Sequence, residues 1–443
     1  MLLYISAFIE KKINSNSTFI LFKSEIDEEY RKDFTKAARI SFTENNSDEY
    51  DNDDFELVWR WYIYRKIVNE IQEKKSNLFE NNGLYDDFAS IITAPINNEN
   101  NGFMKLIPFI RKGNIEISHT PKLGLELDWD KSGKAKVNFS ELVRKADEKF
   151  AQLTPGTHYL NIFFDELELN FNTKKQYQRD SKLIRDLIIT IEKINSISQK
   201  KKYNINLIAA IRSEVQVSIS SSGKEINKTL ADFGVEIKWN IPVSDDSQPL
   251  LHIITERLKN ALISASCKSE IDVWEYFFPR QVQRTSTQKY ILHNSWYRPR
   301  DVIRLLKTAQ EQFPNEEKFT HNVLDNVKKK YSEASWIEIT EELKTTYQDD
   351  EIIGIKRLFY GFKPIFFLQQ IEDRINKINK LYPEIEQLLS RHKIQKILID
   401  LYRIGAIGNI SNGKFRFVFR GDDEVLLEQE FYVHNALRSY LSI

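Results

Sequence analysis

The chain has 443 residues, and at the usual domain size this length predicts about two or three domains with at least one large core. Lys and Arg total 64, as do Asp and Glu, so the net charge is zero and gives no chain-wide evidence for nucleic-acid binding. The 14 glycines exclude collagen-like and Gly-rich linker classes, and the single cysteine, Cys267, excludes an intrachain disulfide framework and a Cys-based structural zinc site.

The amino-terminal part predicts short elements and no membrane segment. Residues 2–9 are mostly apolar, but charge follows this stretch instead of preceding it, which is the reverse of a signal peptide. Residues 18–22 have the composition of a strand, and residues 55–71 have helical periodicity. Turn signals dominate residues 81–136, which we interpret as a loop-rich insertion with a few short strands. No apolar run approaches the ~18 residues of a membrane span, so we expect a cytoplasmic protein without membrane contact.

The middle of the chain alternates strands and helices. Apolar runs predict strands over residues 158–164, 205–211 and 235–239. A long helix over residues 178–198 separates the first two strands. A strand, a crossover helix and a second strand form the right-handed unit of a parallel sheet. We therefore predict an α/β core over residues 1–250.

The remainder of the chain predicts mainly helices. We expect a helical lid over residues 251–325, then a helical linker and a winged-helix-like domain over residues 326–443. The winged-helix prediction depends on a helix at 393–402, a Gly-marked turn and an alternating strand at 414–420. Basic residues near these elements could provide the positive surface that DNA binding needs, but neighbouring acidic residues reduce that charge. We therefore favour packing of this module within the protein over contact with nucleic acid.

Two acidic residues, Asp165 and Glu166, end the first predicted core strand. Parallel strands present their carboxyl ends at the rim where ligands bind. In nucleotide hydrolysis the first acid can hold Mg²⁺, usually through water, and the second can orient or deprotonate the attacking water. An acidic turn that only caps a buried strand would have the same sequence, so both interpretations stand.

Three arginines strengthen the functional interpretation. Arg212 ends the next core strand, where a cation could contact a γ-phosphate or its water network. Arg298 and Arg300 flank Pro299, a residue suited to the first turn of a helix. Arginine forks match phosphate oxygens well. Surface ion pairs, for example with Asp301, are the alternative.

The order of these motifs resembles AAA+/STAND-type P-loop ATPases, and within them a bacterial group labelled FunZ-like that is met in defence contexts. The resemblance extends over most of the chain and is strongest from 159 to 313. It implies a Walker B pair in which Asp165 binds the metal and Glu166 is catalytic, with Arg212 as a sensor-1 residue. It also implies that Arg298 and Arg300 belong to a nucleotide-contacting lid. The implied cofactors are ATP and Mg²⁺, and the implied partners are further copies of the chain or an effector.

One expected motif is missing. The phosphate-cradling loop G-x-x-x-x-G-K-S/T does not occur in the 443 residues, and the stretch at 131–134 lacks its spacing. Either the natural product is longer, which we favour because the other motifs are present, or the protein is a degenerate ATPase. Without the loop we expect this chain to bind ATP poorly. The alternative function is a nucleotide-independent scaffold, or a DNA-contacting regulator that uses the winged helix.

Overall fold

The structure is a computed structural model that describes residues 2–13, 15–40, 55–95, 114–118, 134–169, 173–220, 226–241, 244–264, 271–344, 346–422 and 424–443. It divides into two compact units, residues 1–235 (unit 1) and residues 236–443 (unit 2). None of the helices in these described ranges is both long and apolar enough to cross a membrane. Cys267 and residues 131–133 lie outside the described residues.

Unit 1 combines five short and medium strands with nine helices in its described residues. Its elements, in chain order, are α1 (Leu2–Lys12), β1 (Ser15–Leu21), α2 (Phe22–Glu25), α3 (Glu28–Ile40), α4 (Glu56–Lys74), α5 (Gly83–Thr93), β2 (Asn114–Ser118), β3 (Lys134–Asn138), α6 (Phe139–Phe150), β4 (Tyr159–Leu167), α7 (Lys174–Lys201), β5 (Ile205–Ile211), α8 (Ser213–Ser220) and α9 (Asn227–Phe233).

A three-stranded parallel sheet in the order β1-β4-β5 lies at the centre of unit 1. The central strand β4 is apolar because both of its faces are covered, and Ile162, Phe163 and Phe164 are fully buried. The long helix α7 is the crossover between β4 and β5. The predicted α/β core with a parallel sheet is thereby confirmed.

The aromatic helix α4 packs against this sheet layer. Trp59 is fully buried and its indole Nε1 donates to the backbone oxygen of Leu183 in α7 at 2.8 Å. The ring of Phe34 from α3 lies 4.8 Å from the Trp59 ring. Buried aromatic pairs of this kind add to the free energy gained from area burial. The helical prediction for this segment is confirmed, and its aromatic face belongs to the core.

Two local predictions for unit 1 and its border need correction. Residues 235–239 form no strand. The apolar side chains of Val235 and Ile237 are 87% and 49% exposed. They alternate with Glu236 and Lys238, which form an ion pair with each other, and this alternation has the pattern of a strand. Within the loop-rich insertion, Gly83–Thr93 is a helix, because the Asn82 side chain caps it and does not form a turn. The expected short strands are present as the antiparallel pair β2–β3, and the other parts of 96–133 lie outside the described residues.

Unit 2 is mainly helical in its described residues. Its elements are α10 (Pro249–Ser264), α11 (Val273–Phe277), β6 (Gln281–Val282), β7 (Thr285–Ser286), α12 (Thr287–His293), α13 (Pro299–Gln312), α14 (His321–Asn326), α15 (Lys328–Leu343), α16 (Asp349–Phe359), β8 (Ile365–Phe366), α17 (Leu368–Ile378), α18 (Pro383–Arg391), α19 (Ile394–Arg403), β9 (Ile407–Ser411), β10 (Lys414–Arg416), β11 (Glu430–Val433) and α20 (Asn435–Leu441).

One apolar core runs through unit 2, from Leu250 to Leu441. Near the carboxyl end, four short antiparallel strands pair in the order β10-β9-β11-β8. The helix predicted at 393–402 is α19, and the strand predicted at 414–420 ends at Arg416. The expected border between a lid and a C-terminal domain near residue 325 stays a prediction.

Candidate functional site

The carboxyl ends of β1, β4 and β5 meet at one side of the parallel sheet, which we call the sheet edge. Charged and polar residues follow each of the three strands there. The residues of the sheet edge are Lys23 and Ser24 after β1, Asp165, Glu166 and Glu168 at the end of β4, and Arg212 after β5. Because all three strands run in the same direction, topology alone brings these residues together.

A β-bulge places the two acids at the end of the central strand. The pairing of β4 with β5 shifts between Phe164 and Leu167, so β4 holds one residue more than β5 over this stretch. Glu166 has a φ of +57°, in the left-handed region that few residues other than glycine adopt. Bulges redirect side chains, and strained backbone is frequent at functional sites. The bulge therefore turns Asp165 and Glu166 away from a plain strand geometry.

Both acids have defined partners. The Asp165 Oδ1 atom accepts a hydrogen bond from the backbone N–H of Glu166 at 2.8 Å, which fixes the bulge. The Ser24 hydroxyl donates to Glu166 Oε2 at 2.6 Å and connects β4 to the helix that follows β1. A hydrogen bond from a hydroxyl to a carboxylate is charge-assisted and stronger than a neutral one. Glu166 is thus held on Ser24 in this state of the protein.

Glu168 joins the outer two strands. Its carboxylate lies 2.8 Å from Lys23 Nζ and 2.7 Å from Arg212 Nη2. The side chains of Lys23 and Arg212 are 65% and 55% exposed, so each ion pair contributes little to stability. With Asp165 and Glu166, the sheet edge holds three carboxylates and two cations, a local excess of one negative charge.

Sequence reasoning found Asp165, Glu166 and Arg212 but missed Lys23, Ser24 and Glu168. The signal was present, because Lys23 and Ser24 also follow directly after an apolar strand. The same strand-end criterion that selected Asp165 and Arg212 would have selected them. Glu168 lies two residues beyond Glu166, directly after β4 ends, and offers no comparable motif.

The sheet edge fits Mg²⁺ in part. Mg²⁺ keeps several waters and binds through one or two carboxylates plus the phosphates of a substrate, so Asp165 is a suitable ligand. Within the described ranges, no group of three His, Cys, Asp or Glu side chains could hold a metal ion unaided. Phosphate groups would also need cations, and Lys23 and Arg212 are both paired with Glu168. The sheet edge thus offers a carboxylate that suits Mg²⁺, whereas the binding of phosphate groups needs further contacts.

The other two predicted site residues belong to unit 2. Arg298 occupies the N-cap position of α13, is 51% exposed and lies 3.6 Å from Glu342. Arg300 is exposed. By contrast, Asp301 is 1% exposed and accepts a hydrogen bond from Arg304 at 3.0 Å. Asp301 therefore forms an ion pair, as the alternative interpretation expects, but its partner is Arg304. That Arg298 and Arg300 face a nucleotide stays a prediction.

Several of the basic residues near the carboxyl end form ion pairs. Arg391 lies 3.2 Å from Glu351, and Arg416 lies 3.0 Å from Asp422. Asp400 pairs with Lys396. These acids reduce the positive potential that DNA binding requires. Asp423, a further acid of this region, lies outside the described residues.

Comparison with protein families gives one match. Residues 248–339 match the family model of the FunZ-associated C-terminal helical domain, about a fifth of the chain. The match corresponds to the helices from α10 to α15 in unit 2, and it supports membership of a FunZ-like family. No curated protein and no solved structure matches the chain.

Proposed function

We propose that the chain is part of a Mg-ATP-dependent nucleotide switch or ATPase of the AAA+/STAND, FunZ-like type, with a role in bacterial defence. The observation that supports this most is the acid pair in a bulge at the carboxyl end of the central parallel strand, with Arg212 after the neighbouring strand. The family match in unit 2 supports the same assignment independently of the sheet.

The roles follow from the chemistry of each group. Asp165 would hold Mg²⁺, which when bound supplies positive charge next to phosphate oxygens. Glu166 orients a water molecule and accepts its proton at the carboxylate. Arg212 binds an anionic oxygen with its guanidinium fork, and to do so it exchanges Glu168 for the new partner.

The hydrogen bond from Ser24 defines a resting state of Glu166. A carboxylate that accepts the Ser24 hydroxyl at 2.6 Å has one oxygen engaged and is turned toward α2. Glu166 must give up or rearrange this contact to act on a water molecule. The sheet edge described above is therefore a form in which the catalytic base is held back.

The proposal requires a phosphate-binding loop, since phosphoryl transfer depends on positioning and charge stabilisation. The reading frame ahead of Met1 is the first place to examine, and a G-x-x-x-x-G-K-S/T motif within about thirty codons would complete the site. We call a chain that includes such a loop the loop-complete form. If the frame encodes none, the nucleotide-independent scaffold becomes the favoured function.

Unit 2 has a supporting role in this proposal. Its helices act as the lid and its carboxyl-terminal strands as a winged-helix-like module that packs within the protein, while further copies of the chain or an effector are the partners. Arg298 and Arg300 would approach the nucleotide from the lid. DNA contact is less favoured because Arg391, Arg416 and Lys396 are paired with acids.

Calorimetry with Mg-ATP tests the proposal. The 443-residue chain is expected to bind Mg-ATP weakly or not at all, and the loop-complete form is expected to bind it tightly. In the loop-complete form, Asp165→Asn should weaken the dependence of binding on Mg²⁺, whereas the exposed Glu80→Gln should not. Tight binding by the 443-residue chain would show that it contains an unrecognised phosphate cradle. No binding by either form would refute the proposal.

A further inference from the structure

A polar cavity of about 390 Å³ lies within unit 2, between α12, α15 and α20. This volume is in the range of small-molecule sites in proteins. Tyr290 and Lys328 on its wall belong to the segment that matches the helical-domain family, and Arg438 belongs to the carboxyl-terminal helix. Residues of the matched segment and of the carboxyl-terminal helix α20 thus line the same cavity.

Both charged side chains on the cavity wall are cationic. Among the described residues, Lys328 and Arg438 line the cavity and no Asp or Glu side chain does, and Ile443, which carries the carboxylate of the 443-residue chain, lies on the same wall. His293 also lines it, and burial, together with the nearby Arg420, lowers the pKa of His293, so this imidazole is neutral at pH 7. Lys328 pairs with Asp325, whose side chain is 44% exposed and also accepts a hydrogen bond from the wall residue Gln283 at 2.8 Å. Arg438 forms no ion pair with the described residues, so an anion is the ligand that it would attract.

Arg438 is incompletely satisfied. Its Nε atom donates to the backbone oxygen of Val433 at 2.9 Å, and its guanidinium lies 4.2 Å from the centre of the Tyr432 ring. Its Nη2 atom is buried and has no hydrogen-bond partner. A buried donor without an acceptor costs free energy that an anionic oxygen would recover. Arg438 is thus a group that a bound anion would complete.

We propose that this cavity binds a small phosphorylated molecule. A phosphate group has the charge to engage Lys328 and Arg438 together, and a guanidinium fork matches its oxygens. The cavity is larger than a phosphate ion alone needs, and Leu305, Ala436 and Ile443 give it an apolar portion for an organic substituent. A ligand held by both cations joins α15 to α20, which already touch through the Ser332 hydroxyl and the backbone N–H of Tyr440 at 2.9 Å.

Calorimetric titration of the full chain with inorganic phosphate tests the proposal, with acetate as the carboxylate comparison. The parent is expected to bind phosphate more tightly than acetate. Arg438→Gln and Lys328→Gln should each weaken phosphate binding by about tenfold or more. Lys330→Gln, an exposed lysine on the same helix, is the matched control and should change nothing. If Arg438→Gln does not fold, Lys328→Gln decides the outcome.

Two outcomes overturn the proposal. The first is that phosphate does not bind at millimolar concentration, or binds no better than acetate. The second is that Arg212→Gln abolishes phosphate binding while Arg438→Gln and Lys328→Gln retain it, which would move the anion site to the sheet edge of unit 1. This proposal does not depend on the proposed function, so a failed ATPase assay leaves it unaffected.

Discussion

Two regions of the molecule use ionisable residues in opposite ways: the sheet edge of unit 1, and the surroundings of Asp301 and His434 in unit 2. At the sheet edge of unit 1, Lys23 and Arg212 are exposed, and Glu168 bridges them at the rim of the sheet. In unit 2, Asp301 and His434 are buried, with 1% and 3% exposure. Asp301 accepts a hydrogen bond from Arg304, and His434 accepts one from the backbone N–H of Ala436. Buried polar groups must be satisfied to be tolerated, whereas groups at a rim can change partners at small cost.

This difference separates structural residues from functional ones. Removal of a buried, satisfied group should cost stability, and removal of a rim group should cost little stability but should affect any activity. The segment from Arg298 to Arg304 contains both kinds, because Asp301 is buried while Arg298 and Arg300 are exposed. Stability measurements on variants of buried and exposed residues therefore test this difference.

The largest expected change in stability follows from Asp301→Ala. This change leaves the partly buried Arg304 with one acidic partner fewer and removes an acceptor of the Trp296 backbone N–H at 3.4 Å. We expect a loss of about 3 kcal/mol in the free energy of unfolding, measured by urea titration. Arg298→Ala is the matched control and should cost less than about 1 kcal/mol. Equal losses would show that the segment does not contain two kinds of residue.

The second expected effect is a pH dependence from His434. Its Nδ1 accepts the backbone N–H of Ala436 at 3.2 Å, its ring stacks on Trp296 at 4.3 Å, and burial lowers its pKa to about 3. The unfolded chain takes up a proton near pH 6.5, whereas the folded chain does not until about pH 3, so stability falls as pH decreases through this window. Between pH 7.5 and pH 5 the loss should be about 2 kcal/mol.

His434→Asn tests this effect, because asparagine can keep the helix cap without titrating. The variant should lose that part of the pH dependence of unfolding, measured by urea titration at a series of pH values. The exposed His252→Asn should retain it. Identical pH profiles for the parent and the His434→Asn variant would show that folding does not lower the pKa of His434.

The smallest expected effect is at the sheet edge. Arg212→Gln removes an exposed ion pair with Glu168 and should change the free energy of unfolding by less than about 1 kcal/mol. Chemical denaturation of parent and variant side by side provides the measurement. A loss above about 2 kcal/mol would mean that Arg212 belongs to the structural framework and not to an exchangeable rim.

Periodicity and strand composition were sufficient to predict the parallel sheet. The central strand β4 is apolar because both of its faces are buried, and the helix between β4 and β5 is the crossover that a parallel pair requires. The same criterion was wrong at residues 235–239, where alternation reflects a local charged pair and no neighbouring strand exists among the described residues. The helix Gly83–Thr93 was missed because Asn82 caps a helix where its sequence also suits a turn.

The candidate site was predictable only in part, for a physical reason. Strand ends identify Asp165, Glu166 and Arg212, since the direction of a strand determines where its last residue lies. The contact between Ser24 and Glu166 joins residues 142 positions apart and depends on the register of β1 beside β4. No local pattern encodes that register, so the restraint on Glu166 became visible only in the structure.

We propose that Glu166 acts as the base at the sheet edge, and phosphate release by the loop-complete form is the decisive measurement. With saturating Mg-ATP, Glu166→Gln should keep nucleotide affinity and lower turnover by about 100-fold or more, because it removes the proton acceptor but not the metal ligand. Glu80→Gln, an exposed carboxylate in the same unit, should match the parent. Equal turnover by Glu166→Gln and the parent would show that Glu166 is not the base.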